Sequence, residues 1–212
     1  MKLLRWIKRF LFRVRASVMM KSRGFRDFYR FPFDVSNVLN EHADKTLDEA
    51  CSLLESQGIN YFLCDGTILG IVRDNRLIPH DNDIDVAVAG EVDLDALKAV
   101  FRSSGYSVGR ELYYRGRIQQ LIFYSKHQVI FDICFWHDQG DEYYYHHVPE
   151  LPKGRRQSKR HFDECDHVVF RDKKYPTHGN IREWLREHFG DDWMIPKKYK
   201  GDWRLETRDI IR

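Results

Sequence analysis

The feature that most constrains the fold is the run DIDVAVA at residues 83–89, in which acidic and apolar side chains alternate. A period of two is typical of a β-strand with one buried face. Side chains two residues apart on a strand point the same way, so Asp83 and Asp85 are expected to present two carboxylates to one side. Two such groups repel each other unless a cation lies between them, and oxygen ligands suit Mg²⁺ or Mn²⁺. The run therefore predicts a strand that carries a divalent-cation site.

Elements of both kinds are expected around this strand. Apolar residues at helical spacing predict helical segments at 36–57, 66–72, 93–104 and 181–189. Strands are predicted at 61–64 and 168–175, and several antiparallel strands within 106–148, with a hairpin turn around 137–141. Residues 154–161 are rich in Lys and Arg without periodicity and are expected to form a loop. The order of elements predicts an α/β (α+β) fold in which a mixed β-sheet is flanked by helices.

The composition fits one compact domain with appendages. Of 212 residues, 42% are hydrophobic, which is enough for one substantial core. The four cysteines form no CxxC pair, which argues against a disulfide scaffold or a structural zinc site and favours a reduced, cytosolic environment. Charge is uneven, because residues 1–30 hold ten Lys or Arg against one Asp while the remainder is acidic overall. We expect a basic segment at 1–30 followed by a catalytic domain at 31–212.

Residues 1–20 combine apolar residues at helical spacing with basic residues largely on the other faces. This pattern predicts an amphipathic basic helix, and its apolar runs are too short for a secretory signal or a membrane span. One interpretation is that the helix lies on an anionic membrane surface. The other is that it docks on its own domain or on a second subunit. Nucleic acid is not an expected partner, because the rest of the chain has no recognisable nucleic-acid module.

A third carboxylate is expected to complete the cation site. Asp132 lies in the otherwise apolar run VIFDICFW, where a charge should be paired or metal-bound. If the two strands are neighbours, Asp83, Asp85 and Asp132 would hold one or two ions for displacement at phosphorus. The alternatives are an acidic turn at a strand entrance for the first two and a salt-bridged strand residue for Asp132.

The turn Asp65-Gly66-Thr67 follows the strand predicted at 61–64 and opens a helical segment. Gly66 would let the backbone approach a phosphate at the positive end of the helix dipole, and Thr67 would add a hydroxyl. A plain helix cap is the alternative. Arg73 is placed to reach a phosphate or a carboxylate, and an ion pair with Asp74 or Asp81 is equally expected.

The run DGTILGIVRDNRLIPHDNDIDVAV resembles the signature of the LicD family, whose relatives include fukutin and fukutin-related protein. The strand with Asp132 resembles the third acidic position of that family, and YPTHGNIREWLREHFGDDWMIPKK is similar to its closing helix. The resemblance covers roughly residues 40–200. His80 stands where the family has Trp and Asn82 where Asp is common, which leaves the metal pair intact and puts donor and acceptor choice in doubt.

The resemblance implies a nucleotidyltransferase-type fold and specific roles for the residues above. Asp83, Asp85 and Asp132 would be metal ligands, Gly66 and Thr67 would belong to the donor-phosphate loop, and Asp65 and Arg73 would lie nearby.

The resemblance also implies an activity. A phosphocholine-like or polyol-phosphate-like group would pass from a CDP-linked donor to a sugar hydroxyl of a cell-surface glycan, with release of CMP. Asp132 or Asp65 would take the acceptor proton. Such acceptors would be built at the inner face of the membrane, where the protein would be cytoplasmic and peripheral. Two alternatives stay open: a nucleotidyltransferase that forms an NDP-linked compound, and a non-catalytic, membrane-associated binding protein.

Overall fold

The computed structural model describes residues 21–29, 39–197 and 202–211. The helix predicted at residues 1–20 and the boundary at residues 30 and 31 lie outside these described residues. None of the described helices combines the length and the apolar character needed to span a bilayer.

Strands and helices of the described residues alternate along much of the chain. The strands are β1 (Phe25–Tyr29), β2 (Phe62–Leu63), β3 (Asp83–Ala89), β4 (Ser107–Tyr114), β5 (Arg117–Tyr124), β6 (Ile130–Asp138), β7 (Tyr143–His146), β8 (Arg155–Ser158), β9 (Cys165–Phe170) and β10 (Lys173–His178). The helices are α1 (Ala43–Ser56), α2 (Asp65–Asp74), α3 (Leu94–Ser103), α4 (Arg160–Asp163) and α5 (Ile181–Phe189), followed by a 3₁₀ turn at Trp203–Leu205.

The ten described strands form one mixed sheet. Its main path runs β1-β4-β5-β6-β3-β2-β10-β9, while β7 pairs with β6 and β8 pairs with β7. Strands β3 and β6 are parallel, as are β2 and β10, and the other described pairs are antiparallel. The predicted mixed α/β fold class is therefore confirmed.

The core lies around β3 and β6 at the centre of the sheet. Helices α1 and α3 contact each other and share this core, to which they contribute Leu47, Leu54 and Phe101. The Phe101 ring stacks on Phe123 of β5 with centroids 4.1 Å apart. All but the last residue of β6 are buried, which explains why its sequence is almost continuously apolar. The one charged side chain in that buried stretch, Asp132, is thereby fixed at the middle of the sheet.

Several predicted elements match the structure closely. Helix α3 occupies the segment predicted at 93–104, and the Asp93 side chain caps it by accepting hydrogen bonds from the Asp95 and Ala96 amides. Helix α5 covers the predicted segment 181–189. The segment predicted as a helical turn at 66–72 is the longer helix α2. Capping residues and glycine stops marked these boundaries in the sequence.

Two predicted boundaries are wrong. The helix expected from residue 36 begins at Ala43. Its described upstream residues are held elsewhere, because the Leu39 amide donates to the carbonyl of Asp81 at 2.7 Å. The strand expected at 168–175 is instead the hairpin β9–β10, which turns at Arg171 and Asp172, both with positive φ. Neither residue is a glycine, so the sequence gave no clear turn signal.

The prediction of a basic loop at 154–161 is also wrong. Residues of this segment form β8 and the short helix α4. Arg155 and Gln157 alternate with the exposed Arg156, and both are buried. The inward-facing residues of β8 are polar, so the segment has the period of a strand without its usual apolar pattern.

Candidate active site

Three carboxylates meet on one face of the sheet. In the parallel pair β3–β6, Asp85 lies directly opposite Asp132, and Asp83 is two residues earlier on the same face of β3. One carboxylate oxygen from each of these residues lies within 4.8 Å of those of the other two. We call Asp83, Asp85 and Asp132 the carboxylate cluster. The three residues were expected to meet if their two strands were neighbours, and β3 and β6 are neighbours.

The carboxylate cluster has the chemistry of a site for a hard divalent cation. Asp132 is only 4% exposed, and its Oδ1 atom has no hydrogen-bond partner in the described part of the chain. A buried carboxylate oxygen without a partner is costly unless a positive charge lies beside it. All three donors are oxygens, which Mg²⁺ and Mn²⁺ prefer. The residues present therefore fit such an ion.

Proton affinities in the carboxylate cluster are raised. Burial, followed by the charges of Asp81 and Asp65, raises the pKa of Asp83 to about 7. Burial and the charge of Asp83 raise the pKa of Asp132 to about 8. The pKa of Asp85 is held well above its usual range by burial and by Asp83. Without a cation, the folded protein thus favours protonated forms of these carboxylates.

Asp132 is oriented by a chain of polar side chains that spans four strands, β6, β5, β4 and β1. Its Oδ2 accepts a hydrogen bond from the Gln120 side-chain amide, whose own oxygen accepts from Arg110 Nη1 at 2.7 Å. Arg110 in turn forms a two-point ion pair with Asp27 of β1, at 3.0 and 2.8 Å. This chain leaves Oδ1 of Asp132 as the oxygen that is free for a ligand.

The predicted turn lies beside the cluster at the start of α2. Asp65 opens the helix with φ of +47°. Gly66 lies against the Asp81 carboxylate so closely that a Cβ on Gly66 would overlap it. Thr67 is buried, and its Oγ1 accepts a hydrogen bond from the Asp85 amide at 2.8 Å. Thr67 therefore positions β3 and does not line the cavity described below, while its predicted role towards a donor phosphate stays a prediction.

Asp65 and Arg73 are both engaged in ion pairs. Arg73 donates from Nε and Nη2 to Asp74 Oδ2 at 2.9 and 2.8 Å, which is one of the two pairs expected from sequence. Asp65 accepts from Arg155 Nη2 at 2.6 Å and lies 2.9 Å from His188 Nε2. Burial opposes ionisation of Asp65, but the charge of Arg155 holds its pKa well below the usual range. A carboxylate so held has little affinity for a proton.

The carboxylate cluster lies in a cavity of about 480 Å³. Its wall includes all seven predicted site residues except Thr67. The wall also includes the acidic side chains of Glu150 and Glu206. Its cationic and aromatic side chains are Arg73, Arg110, Arg155, Lys197, Phe189, Trp193 and Trp203. A cavity with an acidic floor and several cationic side chains in its wall is suited to an ion and a phosphorylated ligand together.

A second group of potential ligands shares Asp85. Ligand atoms of Asp65, Asp85 and Cys134 also lie within 4.8 Å of one another. Asp65 is already paired with Arg155 and His188, and a protonated thiol is a poor ligand for hard ions. The carboxylate cluster is therefore the better cation site of the two.

Sequence reasoning missed several residues around this cavity. Asp81 lines it beside Gly66, and burial raises the pKa of Asp81 to about 6. Gln120 and Arg110, which orient Asp132, lie on strands whose polar residues gave no signal of contact with a distant aspartate. Arg155 and His188 reach Asp65 from β8 and α5. The spacing of Arg155 and Gln157 was the one available sign that two polar residues of that segment face inward.

Comparisons with known proteins agree with the resemblance found in the sequence. The model of the family described as "LicD/FKTN/FKRP, nucleotidyltransferase domain" matches residues 58–178, more than half of the chain. The mouse ribitol-5-phosphate transferase FKTN is 23% identical over 182 residues, which cover 82% of this chain and 37% of the mouse protein. The human ribitol-5-phosphate transferase FKTN is 23% identical over 180 residues, 79% of this chain and 36% of that protein. The chain thus spans little more than a third of the length of these relatives.

The chain also resembles a solved structure, at a lower sequence identity than the relatives above. The lincomycin-bound crystal structure of the lincosamide antibiotic adenylyltransferase LnuA has a TM-score of 0.46 and 18% sequence identity. That superposition covers 70% of this chain and 86% of the other.

Proposed function

The chain belongs to the LicD family, and on that premise we propose that it moves a phosphorylated alcohol from a CDP-linked donor to a sugar hydroxyl of a cell-surface glycan. The carboxylate cluster carries the proposal, because its three acidic side chains share one cavity with several arginine and lysine side chains. The name of the mouse relative, a ribitol-5-phosphate transferase, supports a polyol-phosphate-like group. A phosphocholine-like group is the other candidate for the transferred unit.

Asp83, Asp85 and Asp132 would hold Mg²⁺ or Mn²⁺ in this proposal. Such an ion, when bound, supplies positive charge that stabilises the phosphate oxygens during displacement. Gln120 keeps Asp132 oriented, and Thr67 keeps the Asp85 amide in place. Arg73 and Lys197 line the same cavity and would help to neutralise a diphosphate.

The transfer is a single displacement at phosphorus. The acceptor hydroxyl oxygen attacks the phosphorus nearest the alcohol, and the bond from that phosphorus to the bridging oxygen of the diphosphate breaks. CMP leaves with the bonding electrons, and the hydroxyl proton passes to a cavity carboxylate. Asp132 and Asp65 are the two candidates for that step, and Arg155 holds the pKa of Asp65 low, which leaves Asp65 little affinity for the proton.

The test is release of CMP from a panel of CDP-alcohols, including CDP-ribitol and CDP-choline, with Mg²⁺ or Mn²⁺ present. Asp83→Asn, Asp85→Asn and Asp132→Asn should each lower CMP release by about a hundredfold or more, because each removes a ligand of the ion that would stabilise the transition state. Circular dichroism should show an unchanged fold. Glu91→Gln is the matched control, since Glu91 is exposed just after β3. A cluster variant with near-normal turnover would refute the proposal.

Formation of an NDP-linked compound is a second candidate, and the description of the matching family as a nucleotidyltransferase domain favours it. The leaving group separates the two reactions. Incubation with CTP and a phosphorylated alcohol would release pyrophosphate in the second case. Release of CMP from a CDP-alcohol, without pyrophosphate, supports the first.

A non-catalytic binding protein differs from both enzymes in its ligand dependence. Calorimetry with Mg²⁺ and CDP-alcohols should detect nucleotide binding that requires the metal if the chain is an enzyme. Absence of any metal-dependent binding would favour the non-catalytic alternative.

We further propose that residues 1–20 form a basic segment that brings the catalytic domain to an anionic membrane surface. Phe25–Tyr29 of the basic segment expected at 1–30 belong to the sheet as β1. Liposome flotation tests this proposal. The full chain should float with vesicles that contain anionic lipid and remain behind with neutral vesicles. A chain lacking residues 1–20 that floats equally well would contradict it.

A further inference from the structure

A cluster of buried charges lies at the cavity wall, beside the carboxylate cluster. Arg155 of β8 donates from Nη2 and Nη1 to Asp65 at 2.6 and 3.3 Å, and from Nε to the two oxygens of Asp209 at 2.9 and 3.1 Å. His188 lies between the same carboxylates, 2.9 Å from Asp65 and 3.4 Å from Asp209. We call Asp65, Arg155, His188 and Asp209 the guanidinium cluster. One arginine thus holds two carboxylates from distant parts of the chain.

The guanidinium cluster is almost closed to solvent. The side chains of Arg155 and Asp209 are each 6% exposed, and that of His188 is 2% exposed. The Arg155 guanidinium also lies over the rings of Trp136 and Trp203, at 5.3 and 5.6 Å from their centroids. Buried charges are costly unless fully paired, so the partners of Arg155 have little freedom to move apart.

One end of the guanidinium cluster reaches the carboxylate cluster. Asp65 has a left-handed backbone conformation at the first residue of α2, and its side chain is held by Arg155. Two residues later, Thr67 accepts the hydrogen bond from the Asp85 amide. The position of Asp65 therefore sets the first turn of α2, which in turn fixes the backbone of β3 at Asp85.

The other end holds the last described part of the chain. Residues 202–211, which we call the C-terminal segment, contribute Trp203, Glu206 and Thr207 to the cavity wall. The segment pairs with β8, because the Arg156 amide donates to the Asp209 carbonyl at 3.0 Å and the Ile211 amide donates to the Gly154 carbonyl at 3.1 Å. The cavity is thus completed by a segment whose buried anchor is Arg155.

We propose that Arg155 is a positioning residue that couples the seating of the C-terminal segment to the position of Asp65 and of the cavity floor. Its kinetic consequences rest on the proposed function. The C-terminal segment forms part of the wall that would bind the substrate, so a change in its position should change KM. Asp65 supports the carboxylate cluster, where the reaction would take place, so a change in its position should change kcat. A residue that holds only the fold would change neither constant selectively.

Asp209→Asn tests the C-terminal end, because it keeps the size of the side chain and leaves the fork between Arg155 and Asp65. Amide hydrogen exchange at Arg156 and Ile211 should become about tenfold faster, since both amides donate across this junction. KM for the CDP-alcohol should rise about tenfold while kcat stays within about twofold. Unchanged exchange at both amides would overturn the assignment.

Arg155→Lys tests the coupling itself, because one ammonium group cannot hold both carboxylates as a guanidinium fork does. Exchange should accelerate at both ends, at Ile211 and at the Asp85 amide, and kcat should fall about tenfold in addition to the rise in KM. Arg156→Lys is the matched control, since Arg156 is exposed on the opposite face of β8 and lies over the Tyr143 ring. Acceleration at one end alone would overturn the coupling.

The exchange measurements need no substrate. A wild-type protein that releases no CMP from any CDP-alcohol would therefore contradict the proposed function, while the exchange pattern of Arg155→Lys would still decide the coupling. Lys at position 155 keeps one positive charge between the carboxylates, so the variant avoids leaving two buried anions unpaired. Near-wild-type exchange at both Ile211 and Asp85 in that variant would overturn the inference.

Discussion

Asp85 of β3 and Asp132 of β6 are direct partners in the register of two parallel strands. Partners in a parallel pair point to the same face, so this register alone places two carboxylates side by side. Asp83, two residues before Asp85, joins them on that face. The cation site follows from strand pairing and does not depend on a flexible loop, which fixes its ligands to a rigid sheet.

The metal-free protein should lose stability as pH rises from about 6.5 to 8. The pKa values of Asp83 and Asp132 are about 7 and 8 in the folded state, above their usual value near 3.8. Within this window the folded state releases protons that the unfolded state has already lost, so the free energy of unfolding falls, by roughly 1–3 kcal/mol. Urea unfolding at both pH values would measure the change.

Two comparisons sharpen that prediction. Asp132→Asn should flatten the pH dependence, because it removes the carboxylate whose pKa is about 8. Saturating Mg²⁺ should also flatten it in the wild type, since a bound cation favours the charged forms. Stability that rises over this window in the metal-free wild type would contradict the electrostatic description of the cluster.

Below about pH 6.5 two buried histidines oppose this trend, because they must gain protons on unfolding. Burial lowers the pKa of His146 and of His178 to about 3. Each depressed pKa contributes stability that is present above the unfolded value and is lost as pH falls. The His178 ring stacks between those of Phe62 and Trp184, with centroids 4.9 and 4.6 Å away. His178→Phe should keep this stack and reduce by about one the number of protons that histidines take up on unfolding below pH 6.5.

The measurement is the slope of the unfolding free energy against pH from 6.5 to 4. His167→Gln serves as the control, because His167 is exposed on β9. A His178→Phe protein with the same acid slope as the wild type would show that His178 is protonated in the folded state.

Thr67→Val should destabilise the protein by about 1–3 kcal/mol, because it leaves the partly buried amide of Asp85 without its acceptor. Thr67→Ser keeps the hydroxyl and should recover most of that loss. Denaturant unfolding would measure the stability of both variants. Equal stability of the Val and Ser variants would mean that the hydrogen bond contributes nothing.

Gly66→Ala should cost about 1–3 kcal/mol, since the added methyl group would overlap the Asp81 carboxylate. The double variant Gly66→Ala with Asp81→Ala removes the overlapping group and should be more stable than Gly66→Ala alone. Thermal unfolding of the two single variants and the double variant gives the coupling between the sites. Additive effects would place the cost of the alanine elsewhere.

Local sequence determined much of the fold and part of the candidate site. The alternation in residues 83–89 predicted β3 with two carboxylates on one face, and Asp93 and Gly190 marked helix ends that the structure retains. These features depend on neighbouring residues, so periodicity and capping patterns reveal them directly. The motif around Asp65 to Asp85 also carried the family resemblance.

Only the tertiary structure decided which distant side chains meet. No local pattern places β6 beside β3, Gln120 on Asp132, or Arg155 between Asp65 and Asp209. The polar residues of β8 were expected in a solvated loop because their ion pairs come from elements far away in the chain. Sequence periodicity reports how a segment meets solvent or core, whereas the pairing of buried charges depends on the partners that the whole fold brings within hydrogen-bond distance.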